Sequence, residues 1–293
     1  MVEPDALEIE TNRKFFRVAR FKDEWYEGIG NPDLLLESLR QGGMRADVAT
    51  FIQKPPDTTP KFDYFMEWEN IAAIPLESMD HWWNDQVPKQ TRNHVRRAQK
   101  SGIVVKIAEF DDEFVKGISA IYNESPIRQG KRFWHYKKDL ETVRRMNATY
   151  RDSCDFIGAY LDGELIGFIK LVYVGESART MQIISMIAHR DKAPTNALIA
   201  KAVEICCEKG LKYLVYGQYD YGKGSGRSLV TFKNENGFKK IDYPRYYIPL
   251  TLKGRVFLAL KLYKESRELL PEKLILFLLE MRKKWYLRKY GQA

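Results

Sequence analysis

The 293-residue chain has a net charge of +9, and 44% of its residues are hydrophobic and 30% charged, which is ordinary for a globular protein. No segment approaches the roughly 20 consecutive apolar residues of a membrane-spanning helix, and the acidic start Met-Val-Glu-Pro-Asp contains no apolar signal region. That start leads us to expect a cytoplasmic protein, and three cysteines cannot make a disulfide framework.

The first 77 residues form a small strand-rich segment. Strand-like runs occupy residues 14–21, 48–53 and 62–74. Asn31-Pro32-Asp33 opens a helix. We predict that residues 1–77 are a partial domain or a sheet extension, that residues 78–250 are the main domain, and that residues 251–293 are a tail of two amphipathic helices broken at Pro271.

Residues 89–100 read as a basic helix, with five positive charges and no acid. Four of the charges fall on one stripe at helical spacing: Lys89, Arg92, Arg96 and Lys100. Two interpretations stay open, because the stripe is either an ordinary solvated face or a surface that contacts phosphate.

A polar loop, residues 122–132, separates a helix that begins at Asp111-Asp112-Glu113 from a second helix predicted at 135–149. A loop that only connects helices has little need for so many charged and amide groups, although ordinary surface polarity also explains them. The candidates for binding an acceptor are Asn123, Glu124, Arg128 and Gln129.

Residues 156–238 alternate between strands and helices. Strands are predicted at 156–161, 165–174, 181–188 and 211–217. Asp162-Gly163 joins the first two as a tight hairpin, because both positions accept positive φ. Pro194-Thr195-Asn196 opens a helix that ends at Gly210, and the following strand completes a parallel crossover.

The order of elements from Ile103 to Leu250 resembles the GNAT acyltransferase fold. That resemblance implies an α+β domain with a mixed, mostly antiparallel central sheet and helices on both faces. It also implies that the third antiparallel strand and the next parallel strand splay apart. An acyl-CoA such as acetyl-CoA would lie in the gap as co-substrate.

In that family the donor pyrophosphate lies on a helix N-terminus, where unpaired N–H groups attract phosphate. The family loop usually reads Arg/Gln-x-x-Gly-x-Gly/Ala. The matching positions are Arg190-Asp191-Lys192-Ala193-Pro194-Thr195, which lack both glycines and include a proline without an N–H. This difference favours a changed donor, or none. The resemblance implies these donor-binding residues: Arg190, Lys192, Ala193, Thr195, Asn196 and Lys233.

Three segments are similar to the FemAB-like branch of the superfamily: residues 91–103, 219–222 and 232–238. The last matches that branch's Phe-Lys-x-x-Phe-Gly segment, with the order of the final Gly and Phe inverted. Enzymes of this branch carry two such domains and transfer an amino acid from aminoacyl-tRNA to a lipid-linked peptidoglycan precursor. The resemblance therefore implies aminoacyl-tRNA as a second candidate donor, and a lipid-linked or small-molecule amine as acceptor.

The end of the splayed strand carries the candidate catalytic groups. Direct attack of an amine needs a base and an acid, which Tyr219, Asp220 and Tyr221 would supply, with Glu124 as a further candidate. A capped aromatic strand end explains the first three equally well. The stretch 217–224 nearly matches a nucleotide phosphate loop but lacks the hydroxyl that holds Mg²⁺.

Two classes of ligand are not expected. The four histidines share no helical spacing, so no metal site is predicted. The charge is concentrated in residues 251–293, at +7 against +2 for all preceding residues, and this basic tail on a nearly neutral body does not predict a DNA partner.

Residues 253–290 combine apolar helical faces with a basic, aromatic end. This pattern suits an anionic membrane surface and would place the protein at the inner face of the membrane. The alternative is that the leucines pack on the main domain and the cations are solvated.

The leading hypothesis is an acyltransferase that moves an acyl or aminoacyl group onto an amine. The alternatives are FemAB-like aminoacyl transfer to a lipid-linked cell-wall precursor, and a catalytically idle member that uses the cleft or the tail for binding.

Overall fold

The computed structural model describes residues 7–13, 15–26, 32–56, 58–220, 227–264 and 271–290. The strands are β1 (Leu7–Arg13), β2 (Phe16–Phe21), β3 (Val48–Ile52), β4 (Phe65–Pro75), β5 (Val104–Ala108), β6 (Ile127–Arg128), β7 (Lys131–Arg132), β8 (Cys154–Leu161), β9 (Glu164–Val174), β10 (Ser177–Ser185), β11 (Tyr213–Gly217) and β12 (Lys239–Pro249). The helices are α1 (Pro32–Gln41), α2 (Met79–His81), α3 (Lys89–Lys100), α4 (Asp112–Asn123), α5 (Leu140–Asn147), α6 (Pro194–Glu208), α7 (Arg227–Glu235), α8 (Leu252–Ala259) and α9 (Glu272–Tyr290). A π-helical turn, Trp82–Gln86, continues α2, and 3₁₀ turns occupy Arg151–Ser153 and Ile187–Lys192.

Local sequence signals locate the main elements. Asp162 and Gly163 have φ values of +52° and +87°, as the predicted hairpin between β8 and β9 requires. Helix α6 begins with Pro194 in its first turn, and Gly210, at φ +67°, follows its end. The predicted crossover is confirmed, because β11 pairs with β10 in parallel.

Two predicted boundaries were wrong. The helix predicted at 135–149 begins only at Leu140, because Asp139 caps it by accepting a hydrogen bond from the N–H of Thr142 at 2.8 Å. Lys137, at φ +60°, also breaks any helix before it. The strand predicted at 181–188 is Ser177–Ser185. Its first four residues include three polar side chains, and a prediction from apolar alternation therefore missed them.

The chain divides into two compact units. Unit one contains Met1–Ile71 and Lys240–Leu270, and unit two contains Ala72–Lys239 and Pro271–Ala293. The tail predicted as residues 251–293 is therefore divided between them, with α8 in unit one and α9 in unit two.

The strands of unit one follow the order β1-β2-β3-β12-β4, and α1 packs on one face and α8 on the other. Successive strand residues point to opposite faces, so neighbouring residues serve different cores. Ala19, Ala49 and Tyr246 pack with α1, whereas Val18, Val48 and Tyr247 pack with Phe257 of α8.

Unit two contains the sheet order β11-β10-β9-β8-β5, with the last residues of β4 paired to β11. All of these pairs are antiparallel except β10 with β11. Helices α3 and α6 pack on one face, and α4 and α5 on the other. The predicted fold class is confirmed, because the sheet is mixed, mostly antiparallel and covered on both faces.

Candidate active site

Strands β10 and β11 separate in the middle of unit two. Their parallel pairing covers only Ser177 to Arg179 of β10, although the strand continues to Ser185. At the point of separation, the hydroxyl of Thr180 donates to the carbonyl oxygens of Val215 and Tyr216, at 3.3 and 3.1 Å. The remaining half of β10 and the end of β11 thus border an opening, as the resemblance predicted.

The N-terminus of α6 offers few hydrogen-bond donors to a phosphate. Ala193 takes the left-handed conformation at φ +58°, and its N–H is bonded to the carbonyl oxygen of Arg190 at 3.1 Å. Pro194 has no N–H, and the N–H of Asn196 is bonded to the carbonyl oxygen of Ala193 at 3.2 Å. Two N–H groups of this turn are therefore bonded within it and a third position has none, so the turn presents fewer N–H groups than an open helix N-terminus does.

The other predicted donor-binding side chains on this turn have different surroundings. Arg190 is exposed, and Lys192 is half-buried beside Asp191. The hydroxyl of Thr195 is hydrogen bonded to that of Ser185 at 2.7 Å. The amide of Asn196 is buried and donates to Asn236 Oδ1 at 2.9 Å. The first two thus reach the surface, while the last two join α6 to β10 and to the end of α7.

Lys233 lies in α7 and is completely buried at the end of β11. Its ammonium group donates to the carbonyl oxygens of Gln218 and Tyr219, the latter at 3.1 Å. Burial lowers the pKa of Lys233 to about 8, although the negative charge of Asp220 opposes this effect. The side chain fixes the backbone that follows the splayed strand.

Two predicted catalytic residues are described at this strand end. The hydroxyl of Tyr219 donates to Asn234 Oδ1, and the carboxylate of Asp220 is exposed. Tyr221 lies outside the described residues. The opening is therefore bordered by at least one hydroxyl and one carboxylate on a backbone held by Lys233.

Glu124 and Arg128 join the polar loop to the end of β10. Glu124 Oε1 accepts from the N–H of Ala188 at 2.8 Å, and Oε2 accepts from the N–H of Ile187 at 2.7 Å and from Arg128 Nη2 at 2.8 Å. Arg128 Nη1 donates to the carbonyl oxygen of Ser185 at 2.8 Å. Both oxygens of Glu124 are occupied, so this carboxylate orients backbone at the opening.

The remaining predicted acceptor residues lie on either side of this pair. Asn123 accepts from the N–H of Lys137 at 2.9 Å and donates to the carbonyl oxygen of Ser119 at 2.9 Å. Gln129 is exposed in the tight turn between β6 and β7, next to Gly130. Asn123 therefore stabilises the loop, and Gln129 presents its amide to solvent.

A buried polar group between α4 and β10 was missed by sequence reasoning. The hydroxyl of Tyr122 donates to Gln182 Oε1 at 2.6 Å, and its ring stacks on that of His135 at 4.5 Å. Burial raises the pKa of Tyr122 to about 12, while burial and the charge of Lys138 lower the pKa of His135. The sequence feature that could have indicated this contact was Gln182, because an amide is unusual in a largely apolar strand.

The basic stripe of α3 serves two purposes. Arg92 donates to the carbonyl oxygens of Trp83 and Val87, both at 2.9 Å, and so caps the π-helical turn. Lys89, Arg96 and Lys100 stay exposed. Arg92 therefore stabilises the fold, and the other three cations of the stripe lie at the surface.

The described residues contain no cluster of side chains able to hold a metal ion. No helix among them combines the length and the apolar character that crossing a bilayer requires.

Comparison with known proteins identifies the family. Residues 86–233 match the family model described as "Acetyltransferase (GNAT) domain". A search of curated proteins found no match.

Solved structures share the fold at low sequence identity. FemX is 13% identical, with a TM-score of 0.60 over 86% of this chain and 85% of its own. The C-terminal domain of a putative lysylphosphatidylglycerol synthetase from Agrobacterium fabrum is 13% identical, with a TM-score of 0.56 over 88% and 85% of the two chains. L-PGS from Bacillus licheniformis is 12% identical, with a TM-score of 0.55 over 88% and 86%. The predicted FemAB-like form of the fold is confirmed, and the chain belongs to the GNAT acetyltransferase domain family.

Proposed function

We propose that this protein is an N-acyltransferase that reacts in the opening between β10 and β11, and that its donor is an aminoacyl ester in preference to acetyl-CoA. Family membership supports acyl transfer in general. The observation that supports the choice of donor is the N-terminus of α6, where the N–H groups of Ala193 and Asn196 are bonded within the turn and Pro194 has none. A coenzyme A pyrophosphate is held by free N–H groups, of which this turn offers few.

The proposed reaction is direct attack of an amine on the ester carbonyl of aminoacyl-tRNA. The new C–N bond forms as the C–O bond to the ribose breaks, the amine loses a proton and the leaving ribose oxygen gains one. Asp220 is proposed to take the proton from the amine. Tyr219 or Tyr221 is proposed to supply a proton to the leaving oxygen.

The other predicted residues receive supporting roles in this proposal. The exposed Arg190 and the half-buried Lys192 are proposed to contact phosphates of the tRNA 3′ end, as cations beside the opening. Glu124 and Arg128 hold the border of the acceptor side, and Gln129 lies on that side as a hydrogen-bonding group. Lys233 holds the strand end that carries the catalytic side chains.

A labelled-transfer assay tests the donor. The full chain is incubated with an extract of amines and lipids from its host, together with either radiolabelled aminoacyl-tRNA or radiolabelled acetyl-CoA. Mild base then releases label that is still esterified to tRNA and leaves amide products intact. We expect base-stable label from aminoacyl-tRNA, lowered about a hundredfold by Asp220→Asn.

Transfer from acetyl-CoA that exceeds transfer from aminoacyl-tRNA would overturn the choice of donor and leave the family chemistry intact. Absence of transfer from both donors would favour the catalytically idle alternative. Lys201→Ala is a matched control, because this half-buried cation on α6 pairs with Glu204, away from the opening.

Helix α9 supports a lipid-linked acceptor. Its inner face packs on the β6–β7 hairpin, where Lys283 contacts Gly130 and the Arg132 guanidinium lies 5.3 Å from the ring of Tyr290. Five large apolar side chains form a second stripe that stays 43% to 60% exposed: Leu274, Phe277, Leu278, Met281 and Trp285. The spacing i, i+3, i+4, i+7, i+11 places them on one face.

We propose that this outer stripe lies on an anionic membrane. The helix carries six Lys and Arg residues against two acids, which complements anionic head groups and would repel a second copy of the same helix. Trp285 and Tyr286, with ring centroids 5.1 Å apart, suit the head-group region. If α9 lies on the membrane, the β6–β7 hairpin, which carries the proposed acceptor residue Gln129, would face a lipid-linked amine.

Substitutions in α9 test this placement. We expect Phe277→Ser with Met281→Ser to lower binding to anionic liposomes about tenfold or more, because each residue contributes buried apolar area. The matched control is Leu276→Ser with Leu287→Ser, which removes two side chains that are 51% and 48% exposed but lie off the stripe. Equal loss in both variants, or binding to neutral liposomes that matches binding to anionic ones, would contradict the proposal. Co-sedimentation gives the measurement.

A further inference from the structure

Unit one contains a cavity of about 930 Å³ that no part of the proposed reaction uses. It lies between the end of α1, the loop that follows it, the start of β2 and the start of α8. Its volume is near the upper end of the range of ~300–1,000 Å³ for small-molecule sites. A cavity of this size at one end of a folded unit is large enough for a ligand.

The floor of the cavity is apolar. Leu39, Ala46 and Ile248 are buried members of the core under α1, and Leu36 and Met44 pack against them. A hydrocarbon chain placed here would extend the core of unit one and would bury apolar surface of its own.

The rim of the cavity is strongly basic. Arg17, Arg40, Arg45 and Lys253 line it, and all four side chains are exposed. Within the described ranges, no carboxylate lies within 4 Å of any of these cations. These four cations can bind an anionic group, and the apolar floor can bind a hydrocarbon group. The lining therefore suits a ligand that combines the two.

The one acid in the cavity does not neutralise this rim. Asp47 accepts hydrogen bonds from the N–H of Arg17 at 3.0 Å and from the hydroxyl of Thr251 at 2.8 Å. Burial alone would raise the pKa of Asp47, but these bonds and the charges of Lys253 and Arg17 outweigh it and lower the pKa. The carboxylate is therefore occupied in joining β2 to the start of α8, and the lining keeps a net positive charge.

We propose that this cavity binds an amphiphile with a phosphate or other anionic head group and a hydrocarbon chain. The head group meets the arginines at the rim, and the chain lies on the floor formed by Leu36, Leu39 and Met44. The shared chemistry fits both a membrane lipid and a soluble alkyl phosphate, and the probes below separate the contributions of head and chain.

Calorimetric titration of the full chain with dodecyl phosphate, below its critical micelle concentration, tests the site. We expect saturable binding that is about tenfold or more tighter than binding of inorganic phosphate or of uncharged dodecyl maltoside. Arg40→Ala with Arg45→Ala should weaken the dodecyl phosphate, and Met44→Asp should do the same by placing a carboxylate on the floor.

Two controls make the result specific. Lys22→Ala with Arg255→Ala removes two exposed cations of unit one that do not line the cavity, and Phe277→Ser with Met281→Ser alters α9, so both must keep the affinity of the parent chain. Phosphate alone binding as tightly as dodecyl phosphate would reduce the site to an anion site and overturn the proposal. Equal binding of the maltoside, or unchanged binding in the Arg40/Arg45 variant, would overturn it as well.

A competition experiment with vesicles distinguishes a membrane lipid from a soluble amphiphile. Phosphatidic acid vesicles compete with dodecyl phosphate for the Phe277→Ser, Met281→Ser variant if the ligand is a bilayer lipid, and they fail to compete if it is a soluble amphiphile.

Discussion

Replacing Lys233 with methionine should lower turnover in the base-stable transfer assay by about a hundredfold or more. The buried ammonium group holds the carbonyl oxygens of Gln218 and Tyr219, and methionine leaves both without this donor. The strand end that carries Asp220 would then move, and a displacement of about 1 Å at a reacting group costs on the order of a hundredfold in rate. The measurement is initial rate per folded molecule.

Lys170 provides a matched control in the same unit. It is 1% exposed, and its ammonium group donates to the carbonyl oxygens of Asn147 and Thr149 at 2.9 and 2.5 Å. Burial lowers its pKa to about 8, as for Lys233. We expect Lys170→Met to reduce stability by a similar amount and to leave the rate per folded molecule within about twofold. Equal loss of rate per folded molecule in both variants would mean that the loss follows from removing any buried lysine of this unit, and not from the position of the strand end that Lys233 holds.

A pH profile separates positioning from packing. The charge of Lys233 is lost as pH rises through about 8, so the rate should fall above that pH in the parent chain. Arginine stays charged throughout this range, and Lys233→Arg should therefore move the alkaline limb upward. If the rate falls at the same pH in the parent chain and in Lys233→Arg, the fall reflects the titration of a group other than Lys233.

Much of the fold was readable because its signals are local. Asp162-Gly163 needs nothing beyond its own backbone preference to turn between β8 and β9. Pro194 and Gly210 act in the same way at the two ends of α6. The resemblance supplied what local signals could not, namely the separation of β10 from β11.

The site was less readable because its contacts join distant residues. Glu124 attracted attention as a loop carboxylate, but its partners Ile187 and Ala188 lie more than 60 positions away, and nothing near Glu124 indicates them. Lys233 was assigned to donor binding through the resemblance, and its complete burial was not predicted, since a lysine is seldom fully buried. Its burial follows from the packing of α7 against the end of β11, which a one-dimensional pattern does not contain.

The largest loss of stability is expected in unit one, at Arg245. This residue is 7% exposed, and its guanidinium group binds the carboxylates of Glu24 and Glu69, the latter at 2.6 Å. Burial alone would lower the pKa of Arg245, but the two carboxylates outweigh it and raise the pKa above its usual value. Tyr243 completes the cluster by donating to Glu69 at 2.6 Å. The cluster therefore sets one arginine against two carboxylates, and its cation is shared between Glu24 and Glu69.

Arg245→Met should lower the free energy of unfolding of unit one by about 3–5 kcal/mol, because it removes the cation and leaves the buried Glu24 and the half-buried Glu69 without a counter-charge. Hydrogen exchange followed by mass spectrometry measures the effect separately in each unit. We expect peptides covering β3 and β12 to lose protection by about two to four orders of magnitude, while peptides covering β8 and β9 keep theirs.

Arg245→Met could destabilise unit one by leaving carboxylates without a counter-charge or by loosening packing. Neutralising Glu24 and Glu69 in the same chain separates these two causes. In the background of Arg245→Met, Glu24→Gln with Glu69→Gln should restore most of the protection of β3 and β12, because a cluster without charges no longer needs a counter-ion. The same two glutamines with Arg245 intact should be destabilising, since the guanidinium then loses its partners. If the triple variant is as unstable as Arg245→Met alone, shape and hydrogen bonding at Arg245 matter more than charge, and the electrostatic account of this cluster fails.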